Sequence, residues 1–133
     1  MKDENKKYKI LVIDDNKSIN HLIQSVLNDL GYETHGVYYG KDAISWTKKN
    51  KDFIILLDYM LPDMYGNELI EKLYKETEKL YFIILTGYGD EKTAVEMMKK
   101  GALDYIVKEE NFVDLIPTLI DRVIKEIDQK DDL

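Results

Sequence analysis

The stretch FIILLDYMLPDMYG (Phe53–Gly66) places an uninterrupted apolar run directly before an aspartate. The run Ile54 to Leu57 predicts a buried strand, because consecutive branched aliphatic residues suit a strand that is covered on both faces. Asp58 follows at once, and an aspartate is rarely fully buried unless it has a partner. Asp58 is therefore either a satisfied structural group or the working residue of a site.

The composition predicts one folded domain. The chain has 133 residues, of which 44% are hydrophobic and 34% charged, and this is enough to bury one core. Without cysteine it can form neither disulfides nor thiolate metal sites, which fits a cytoplasmic location. No apolar run approaches the about 18 residues that a membrane span needs. We expect a domain at residues 8–128 between flexible tails at 1–7 and 129–133.

The net charge indicates which partners to expect. The formal charge of −7 argues against direct binding of nucleic acid, which requires clustered lysine and arginine. The same charge favours a cation or another protein. We therefore expect no contact with nucleic acid and none with a membrane.

The strand of the opening stretch belongs to a repeating pattern of strand and helix. A first strand, YKILVID, leads to a helix that Asn16 caps and Gly31 stops. The later units are YETHGV with GKDAISWTKKN, FIILLD with NELIEKLYKE, YFIILT with DEKTAVEMMKKG, and LDYIVK with a last apolar stripe. Five strands alternating with five helices predict an α/β fold with a parallel sheet covered on both faces. The more polar second strand is expected at an edge.

Apolar stripes at helical spacing mark the first and last helices. The first stripe consists of Ile19, Leu22, Ile23, Val26, Leu27 and Leu30. The last consists of Phe112, Leu115, Ile116, Leu119, Ile120, Val123, Ile124 and Ile127. Pro117 lies inside the last stripe and cannot donate a helical hydrogen bond, so that helix either begins near it or kinks there.

Polar residues finish the predicted strands. Ligands of such sheets bind beyond the carboxyl ends of the strands, where Asp14, Asp15, Asp58, Thr86 and Lys108 stand. Two carboxylates about 4 Å apart repel by roughly 4 kcal/mol at an effective dielectric constant of about 20, so three together invite a divalent cation. Oxygen ligands without histidine or cysteine favour Mg²⁺ or Mn²⁺. We therefore expect Asp58 to be exposed at the rim of the sheet beside a metal ion.

Each of these residues also has a plain structural interpretation. Asp14 and Asp15 alone fit a helix cap after a strand. Thr86 alone fits a hydroxyl bonded to the backbone, and Lys108 alone a surface lysine. Their convergence at one edge of the sheet is what favours a site.

Several motifs in order carry a resemblance to a known family. The pair Asp14–Asp15, the segment LLDYMLPDMYG and the segment TGYGDEKTAVEMMKKGALDYIVK closely resemble the receiver domain of two-component response regulators, of the chemotaxis-regulator type. The match covers about Tyr8 to Ile127. It implies a flavodoxin-like, doubly wound sheet with strand order 2-1-3-4-5.

The resemblance implies a phosphoacceptor rather than an enzyme. Asp58 would receive a phosphoryl group from the phosphohistidine of a histidine kinase. Asp15, Asp58 and the main-chain carbonyl of Met60 would bind Mg²⁺ directly, and Asp14 mainly through water. The resemblance thus implies a complete metal site formed by these residues.

The same resemblance implies a switch. Thr86 and Lys108 would hold the phosphoryl oxygens, and Tyr105 would follow Thr86 into the space that it leaves. The face formed by the fourth helix, the fifth strand and the fifth helix would then signal to an effector or a fused output or kinase module, or form a phosphorylation-dependent dimer. The sequence leaves open whether the chain is free-standing or part of a longer protein.

One departure from the family pattern concerns the residue that follows Lys108. The family usually has proline where Glu109 follows Lys108, and a non-proline cis bond costs roughly 2.5–4 kcal/mol, so we predict a trans or a strained cis peptide. Bulky Met60 and Tyr88 beside the site predict slow self-dephosphorylation.

A pseudo-receiver that only binds a partner is one alternative to a phosphoacceptor. The other is a Mg²⁺-dependent aspartyl phosphatase of the haloacid-dehalogenase type, which would require an acid where Met60 stands.

Overall fold

The structure is a computed structural model that describes residues 6–131, except for the side chain at 131. Within this range five strands alternate with five α-helices, and one 3-10 helix precedes the last of them. The strands are β1 Lys9–Ile13, β2 Thr34–Val37, β3 Phe53–Asp58, β4 Phe82–Thr86 and β5 Asp104–Val107. The helices are α1 Lys17–Asp29, α2 Gly40–Lys48, α3 Gly66–Tyr74, α4 Glu91–Lys99 and α5 Ile116–Asp131, with the 3-10 helix at Phe112–Leu115. In the described part of the chain no helix has the length and apolar character to cross a membrane.

The five strands form one parallel sheet in the order β2-β1-β3-β4-β5. This confirms the predicted strand order and the edge position of β2. The order in which strands are added reverses at β1, because β2 lies on one side of it and β3, β4 and β5 lie on the other. The carboxyl ends of β1 and β3 therefore lie side by side, with Ile13 paired to Leu57. Such a reversal opens the crevice in which doubly wound sheets bind their ligands.

Helices cover both faces of the sheet, which explains the unbroken apolar run in β3. Ile54 and Leu56 pack toward α1 and α5, whereas Ile55 and Leu57 pack toward α2, α3 and α4. All four side chains are fully buried. Burying one such side chain stabilises the fold by about 1.5–3 kcal/mol, so neither face of β3 tolerates polar residues before the strand ends.

The predicted start and end of the first helix and the predicted start of the last helix are confirmed. Asn16 caps α1, since its side chain accepts a hydrogen bond from the N–H of Ile19 at 3.0 Å. Gly31 follows the end of α1 with φ of +98°, a conformation that favours glycine. Pro117 lies in the first turn of α5, where its missing N–H costs no helical hydrogen bond.

The apolar stripes of the first and last helices were predicted too wide. Leu22 and Leu115 are both exposed. In α1 the buried line consists of Asn20, Ile23 and Leu27, so Leu22 points away from β1. Leu115 belongs to the 3-10 helix, whose period differs from that of α5.

The predicted tails are described only in part. α5 continues to Asp131, past the boundary predicted at 128. Residues 1–5 and 132–133, which belong to the two predicted tails, lie outside the described residues.

Candidate functional site

Three aspartates meet at the carboxyl edge of the sheet. One carboxylate oxygen from each of Asp14, Asp15 and Asp58 lies within 4.8 Å of the others. Asp14 follows β1 and is fully buried, Asp58 ends β3, and Asp15 is exposed. The edge therefore combines one buried, one largely buried and one open carboxylate.

Lys108 lies against two of these carboxylates. Its Nζ is 2.6 Å from Asp14 Oδ2 and 3.3 Å from Asp58 Oδ2. The main-chain N–H of Lys108 donates to the carbonyl of Thr86 at 2.8 Å, which fixes the backbone after β5 beside the end of β4. The structure therefore brings the five residues that were predicted to converge to one edge of the sheet: Asp14, Asp15, Asp58, Thr86 and Lys108.

The peptide bond between Lys108 and Glu109 is trans, because residues 6–131 contain no cis peptide. This confirms the trans alternative. The N–H of Glu109 donates to the carbonyl of Val107 at 2.7 Å, a bond that proline could not form. Lys108 reaches the aspartates with this local turn in place of the cis proline typical of the family.

Asp58 is more enclosed than the sequence predicted. We expected it to be exposed at the rim, but only 15% of its side chain is accessible. The reason is that Asp58 is still part of β3, paired with Leu85 of β4, and that Lys108 lies close to its carboxylate. Burial raises the pKa of Asp58 to about 6; Lys108 and the N–H of Met60 oppose this rise, and the charge of Asp14 adds to it.

Asn20 is a buried residue of the site that the sequence reading missed. Its Nδ2 donates to the carbonyls of Asp14 and Val37, both at 3.0 Å, and at 3.3 Å to that of Val12. Its Oδ1 accepts from the side chain of Gln24 at 2.7 Å. Asn20 thus holds the ends of β1 and β2 together directly behind the acidic pair. The available signal was its position three residues before Ile23 on the apolar line of the first helix.

Asp14 is also held through its side chain. Its Oδ1 accepts the N–H of Asn16 at 2.9 Å, and its Oδ2 accepts from Lys108. Both carboxylate oxygens of Asp14 are therefore occupied by donors. The corresponding contacts of Asp58 are longer, at 3.4 Å from the N–H of Met60 and 3.3 Å from Lys108, so Asp15 and Asp58 have more freedom to bind a cation directly.

Thr86 and Tyr105 lie on neighbouring strands, on the same side of the sheet. Tyr105 pairs with Ile84, and Thr86 pairs with Val107, so residues two apart place both side chains toward α4. The Thr86 hydroxyl is buried, and it makes no hydrogen bond within the described residues. Tyr105 is 37% exposed. A buried hydroxyl without a partner is unusual and invites a ligand.

Bulky residues follow the ends of β3 and β4. Met60 is 59% exposed and Tyr88 is 84% exposed. The N–H of Met60 donates to Asp58 Oδ1 at 3.4 Å, which places the main chain of the loop after β3 beside the carboxylate. The position that an aspartyl phosphatase would fill with an acid is therefore occupied by a thioether.

The donor set fits a hard divalent cation. The three clustered side chains offer carboxylate oxygens only, and no histidine belongs to the cluster in the described residues. Mg²⁺ prefers one or two carboxylates together with water, so the more open Asp15 and Asp58 suit it as direct ligands. A cation would also offset the repulsion that contributes to the raised pKa of Asp58.

Comparison with known proteins agrees with this geometry. Residues 10–120 match the response regulator receiver domain family. Among curated relatives, the transcriptional regulatory protein SrrA of Staphylococcus aureus is 38% identical over 99 residues, which cover 74% of this chain and 41% of SrrA. The methanogenesis regulatory protein FilR1 of Methanothrix harundinacea is 29% identical over 122 residues, which cover 88% of this chain and 27% of FilR1. The chain spans less than half the length of these relatives.

Solved structures resemble the whole fold. A response regulator receiver domain protein from Clostridium thermocellum superposes with a TM-score of 0.82 at 27% identity, over 92% of this chain and 98% of that one. The receiver domain of NtrX from Brucella abortus gives 0.81 at 27% identity, over 88% and 98%. The chain belongs to the response regulator receiver domain family of two-component systems.

Proposed function

We propose that Asp58 accepts a phosphoryl group from the phosphohistidine of a histidine kinase in a reaction that requires Mg²⁺. One observation carries the proposal: the Asp58 carboxylate lies within 4.8 Å of two further aspartates and 3.3 Å from Lys108, at the edge of the sheet where ligands bind. A carboxylate oxygen of Asp58 attacks phosphorus, the bond from phosphorus to the imidazole nitrogen breaks, and the histidine leaves with that electron pair. The domain acts as a phosphoacceptor and has no further substrate.

The surrounding residues would hold the reacting group. Asp15, Asp58 and the main-chain carbonyl of Met60 would bind Mg²⁺, and Asp14 would act mainly through water. The bound cation supplies positive charge for the oxygens of an in-line phosphoryl transfer. The Lys108 ammonium supplies a second positive charge, already 3.3 Å from Asp58. The chain therefore contributes mostly positioning and electrostatics.

The signal would arise from the new charge. An aspartyl phosphate carries about two negative charges in place of one, and it adds oxygens that accept hydrogen bonds. The Thr86 hydroxyl is a donor that no group in the described part of the chain engages. It would turn to the phosphoryl group, and Tyr105 would move inward and change the face formed by α4, β5 and α5. A local change of charge that biases two arrangements is the general form of such switches.

The lifetime of the phosphorylated form would be long. Met60 and Tyr88 stand two residues beyond Asp58 and Thr86, and both are bulky and exposed. They would hinder the approach of the water that hydrolyses the aspartyl phosphate. Met60→Ala and Tyr88→Ala should then shorten the lifetime. A lifetime of seconds that lengthens in either variant would contradict this expectation.

The partners follow from the same proposal. A histidine kinase would donate the phosphoryl group, and an effector or a fused output module would read the switched face. A phosphorylation-dependent dimer through this face is a further expectation. SrrA is named a transcriptional regulatory protein; this chain would reach nucleic acid only through such a partner or module. We place the domain in the cytoplasm, in keeping with the absence of cysteine.

Intact-mass measurement after incubation with acetyl phosphate and Mg²⁺ tests the proposal. We expect the gain of one phosphoryl group by the wild type. Asp58→Asn keeps the size of the side chain and removes the nucleophilic oxygen, so it should gain nothing, and neither should the wild type in EDTA. An unmodified wild type with an intact fold would favour the pseudo-receiver. Equal modification of Asp58→Asn would place the acceptor elsewhere.

A further inference from the structure

The start of α2 is capped by a residue from the loop that follows the phosphoacceptor strand. Asp63 Oδ1 accepts the N–H of Gly40 at 2.9 Å, and Oδ2 accepts the N–H of Lys41 at 3.0 Å. Tyr39, the residue at the N-cap position of α2, makes no side-chain cap bond. The first N–H groups of a helix have no partner within the helix, so Asp63 satisfies two of them from 23 positions along the chain.

A second contact joins the same loop to the same helix. A Cβ atom added to Gly40 would lie 2.6 Å from Met64 Sδ and 2.7 Å from Met64 Cγ. Only glycine allows this close approach without displacement of Met64. The loop also closes on itself, because the N–H of Leu61 donates to the carbonyl of Met64 at 3.2 Å. The loop is thus fastened to α2 by Asp63 and Met64 together.

The fastened loop is the one that carries the site. Its first residues follow Asp58 directly, and the N–H of Met60 reaches Asp58 Oδ1 at 3.4 Å. Further along, Tyr65 stacks on Tyr59 with ring centroids 5.8 Å apart. The path of the main chain at Met60 therefore depends on where this loop is held. Shifts of about 1 Å at a reacting centre are enough to change rates by orders of magnitude.

We propose that Asp63 is a positioning residue of the phosphoacceptor site. By capping α2 it fixes the loop from Met60 to Tyr65, and through this loop it sets the affinity for the divalent cation and the rate of phosphorylation at Asp58. The inference rests on the proposed function for its effect on the reaction. The fastening itself rests only on the contacts of Asp63 and Met64.

The chain offers a matched control at the same helix terminus. Asp42 is an exposed acid in the first turn of α2 and carries the same charge as Asp63, but it belongs to the helix and not to the loop. Asp42→Ala therefore removes a charge from the same helix terminus without releasing the loop. Asp63→Asn keeps one oxygen that can accept from Gly40 or Lys41 and serves as the conservative variant.

The experiment compares the wild type, Asp63→Ala, Asp63→Asn and Asp42→Ala by calorimetric titration with Mg²⁺ and by the initial rate of phosphorylation with acetyl phosphate. Residues that orient metal ligands typically change affinity 10–100-fold, so we expect about tenfold weaker Mg²⁺ binding and a similarly slower rate in Asp63→Ala, with Asp42→Ala within about twofold of the wild type. Asp63→Asn should recover most of both. Thermal unfolding, measured in parallel, separates a loss of fold from a loss of positioning.

A merely structural role predicts a different result. In that case Asp63→Ala lowers the melting temperature while the folded protein keeps its Mg²⁺ affinity and rate, which would overturn the inference. Equal losses in Asp63→Ala and Asp42→Ala would overturn it too, because they would assign the effect to charge alone.

Amide hydrogen exchange gives a readout that does not require the reaction. Exchange at Gly40, Lys41 and Leu61 should speed up in Asp63→Ala and not in Asp42→Ala. Because coupling between two sites is reciprocal, Mg²⁺ should slow exchange at Gly40 in the wild type. A wild type that neither binds Mg²⁺ nor becomes phosphorylated would refute the proposed function. The N–H groups of Gly40 and Lys41 lose their acceptor in Asp63→Ala in any case, so the attachment of the loop to α2 would then be judged by the exchange of Leu61 alone. Unchanged exchange at Leu61 in Asp63→Ala would overturn it.

Discussion

The two sides of the site are built differently. On the side of β1, Asn16 caps α1 and the buried Asn20 joins the ends of β1 and β2. On the side of β4, Asp90 stands at the N-cap of α4 without a side-chain cap bond, and the hydroxyl of Thr86 finds no acceptor or donor within residues 6–131. The fourth helical residue is Asn20 in α1 and Ala94 in α4; both are buried, but only the asparagine can bond to the strands.

This difference suggests a division of labour. A metal site needs ligands held in place by bonded neighbours, and the β1 side has these neighbours. A switch needs a segment that moves at low cost, and a helix with fewer bonds at its start suits that role. We therefore infer that the β1 side serves phosphoryl transfer and that the β4 side serves the response to it.

Loss of Asn20 should have the largest effect. Asn20→Ala leaves buried carbonyls at Val12, Asp14 and Val37 without this donor, and we expect the free energy of unfolding to fall by about 3 kcal/mol. Thr93→Ala on α4 removes a polar side chain from the other side and should cost about 0.5 kcal/mol or less. Urea denaturation measures both. Equal losses would remove the contrast between the two sides.

The ionisation of Asp58 should have the next largest effect. Its pKa in the folded protein is about 6, against 3.8 for an ordinary aspartate, so ionisation weakens the fold. The stability contributed by the protonated form is complete below about pH 4 and is lost as the pH rises through about 6. Solvent reaches part of the carboxylate, so we expect the loss to be about 2 kcal/mol rather than the full value of the shift.

Asp58→Asn provides the comparison for this pH dependence. In EDTA at pH 7.5 the variant should be more stable than the wild type, and the difference should vanish near pH 4. Mg²⁺ should remove much of the difference at pH 7.5 by stabilising the wild type alone. Unfolding curves that differ equally at both pH values would contradict the raised pKa.

The Thr86 hydroxyl should separate stability from switching. Because Thr86→Val removes a buried donor that no described residue engages, we expect the free energy of unfolding to rise by about 1–2 kcal/mol. Phosphorylation of Asp58 should persist in the variant, but Tyr105 should no longer respond to it. Calorimetry measures the stability, and the nuclear magnetic resonance signals of the Tyr105 ring report its response. A clear loss of stability would show that the hydroxyl is bonded in the folded protein.

The caps should give the smallest effect and the cleanest contrast. Asn16→Ala removes the side-chain bond to the N–H of Ile19 and should cost about 1 kcal/mol. Asp90→Ala removes no side-chain cap bond and should cost less than about 0.5 kcal/mol. Chemical denaturation of the two variants side by side measures the difference. A larger loss for Asp90→Ala would mean that α4 is the more firmly held helix.

Much of the fold follows from local patterns in the sequence. The apolar run before Asp58 predicts a strand covered on both faces, and Asn16 and Gly31 predict the ends of α1. The meeting of Asp14, Asp58 and Lys108 follows from one rule, that parallel strands end at the same edge. These features depend on neighbouring residues or on the general architecture, and a sequence contains both.

The rest depends on contacts between distant segments. The enclosure of Asp58 results from its pairing with β4 and from Lys108, and neither is visible in the segment around Asp58. Asp63 looks like a turn residue until its bonds to Gly40 and Lys41 are known. Asn20 looks like an ordinary polar residue of a helix, although its spacing from Ile23 and Leu27 indicated a buried position.

Peptide-resolved hydrogen exchange of the wild type, with and without phosphorylation by acetyl phosphate and Mg²⁺, compares the response of the β1 side with that of the β4 side. We predict that phosphorylation changes exchange chiefly in Thr86–Lys99 and Asp104–Val107, and that α1 beyond Asn16 stays nearly unchanged. Asp58→Asn should show no change in either region. A response confined to α1, or one equally large on both sides, would contradict a held site beside a movable switch.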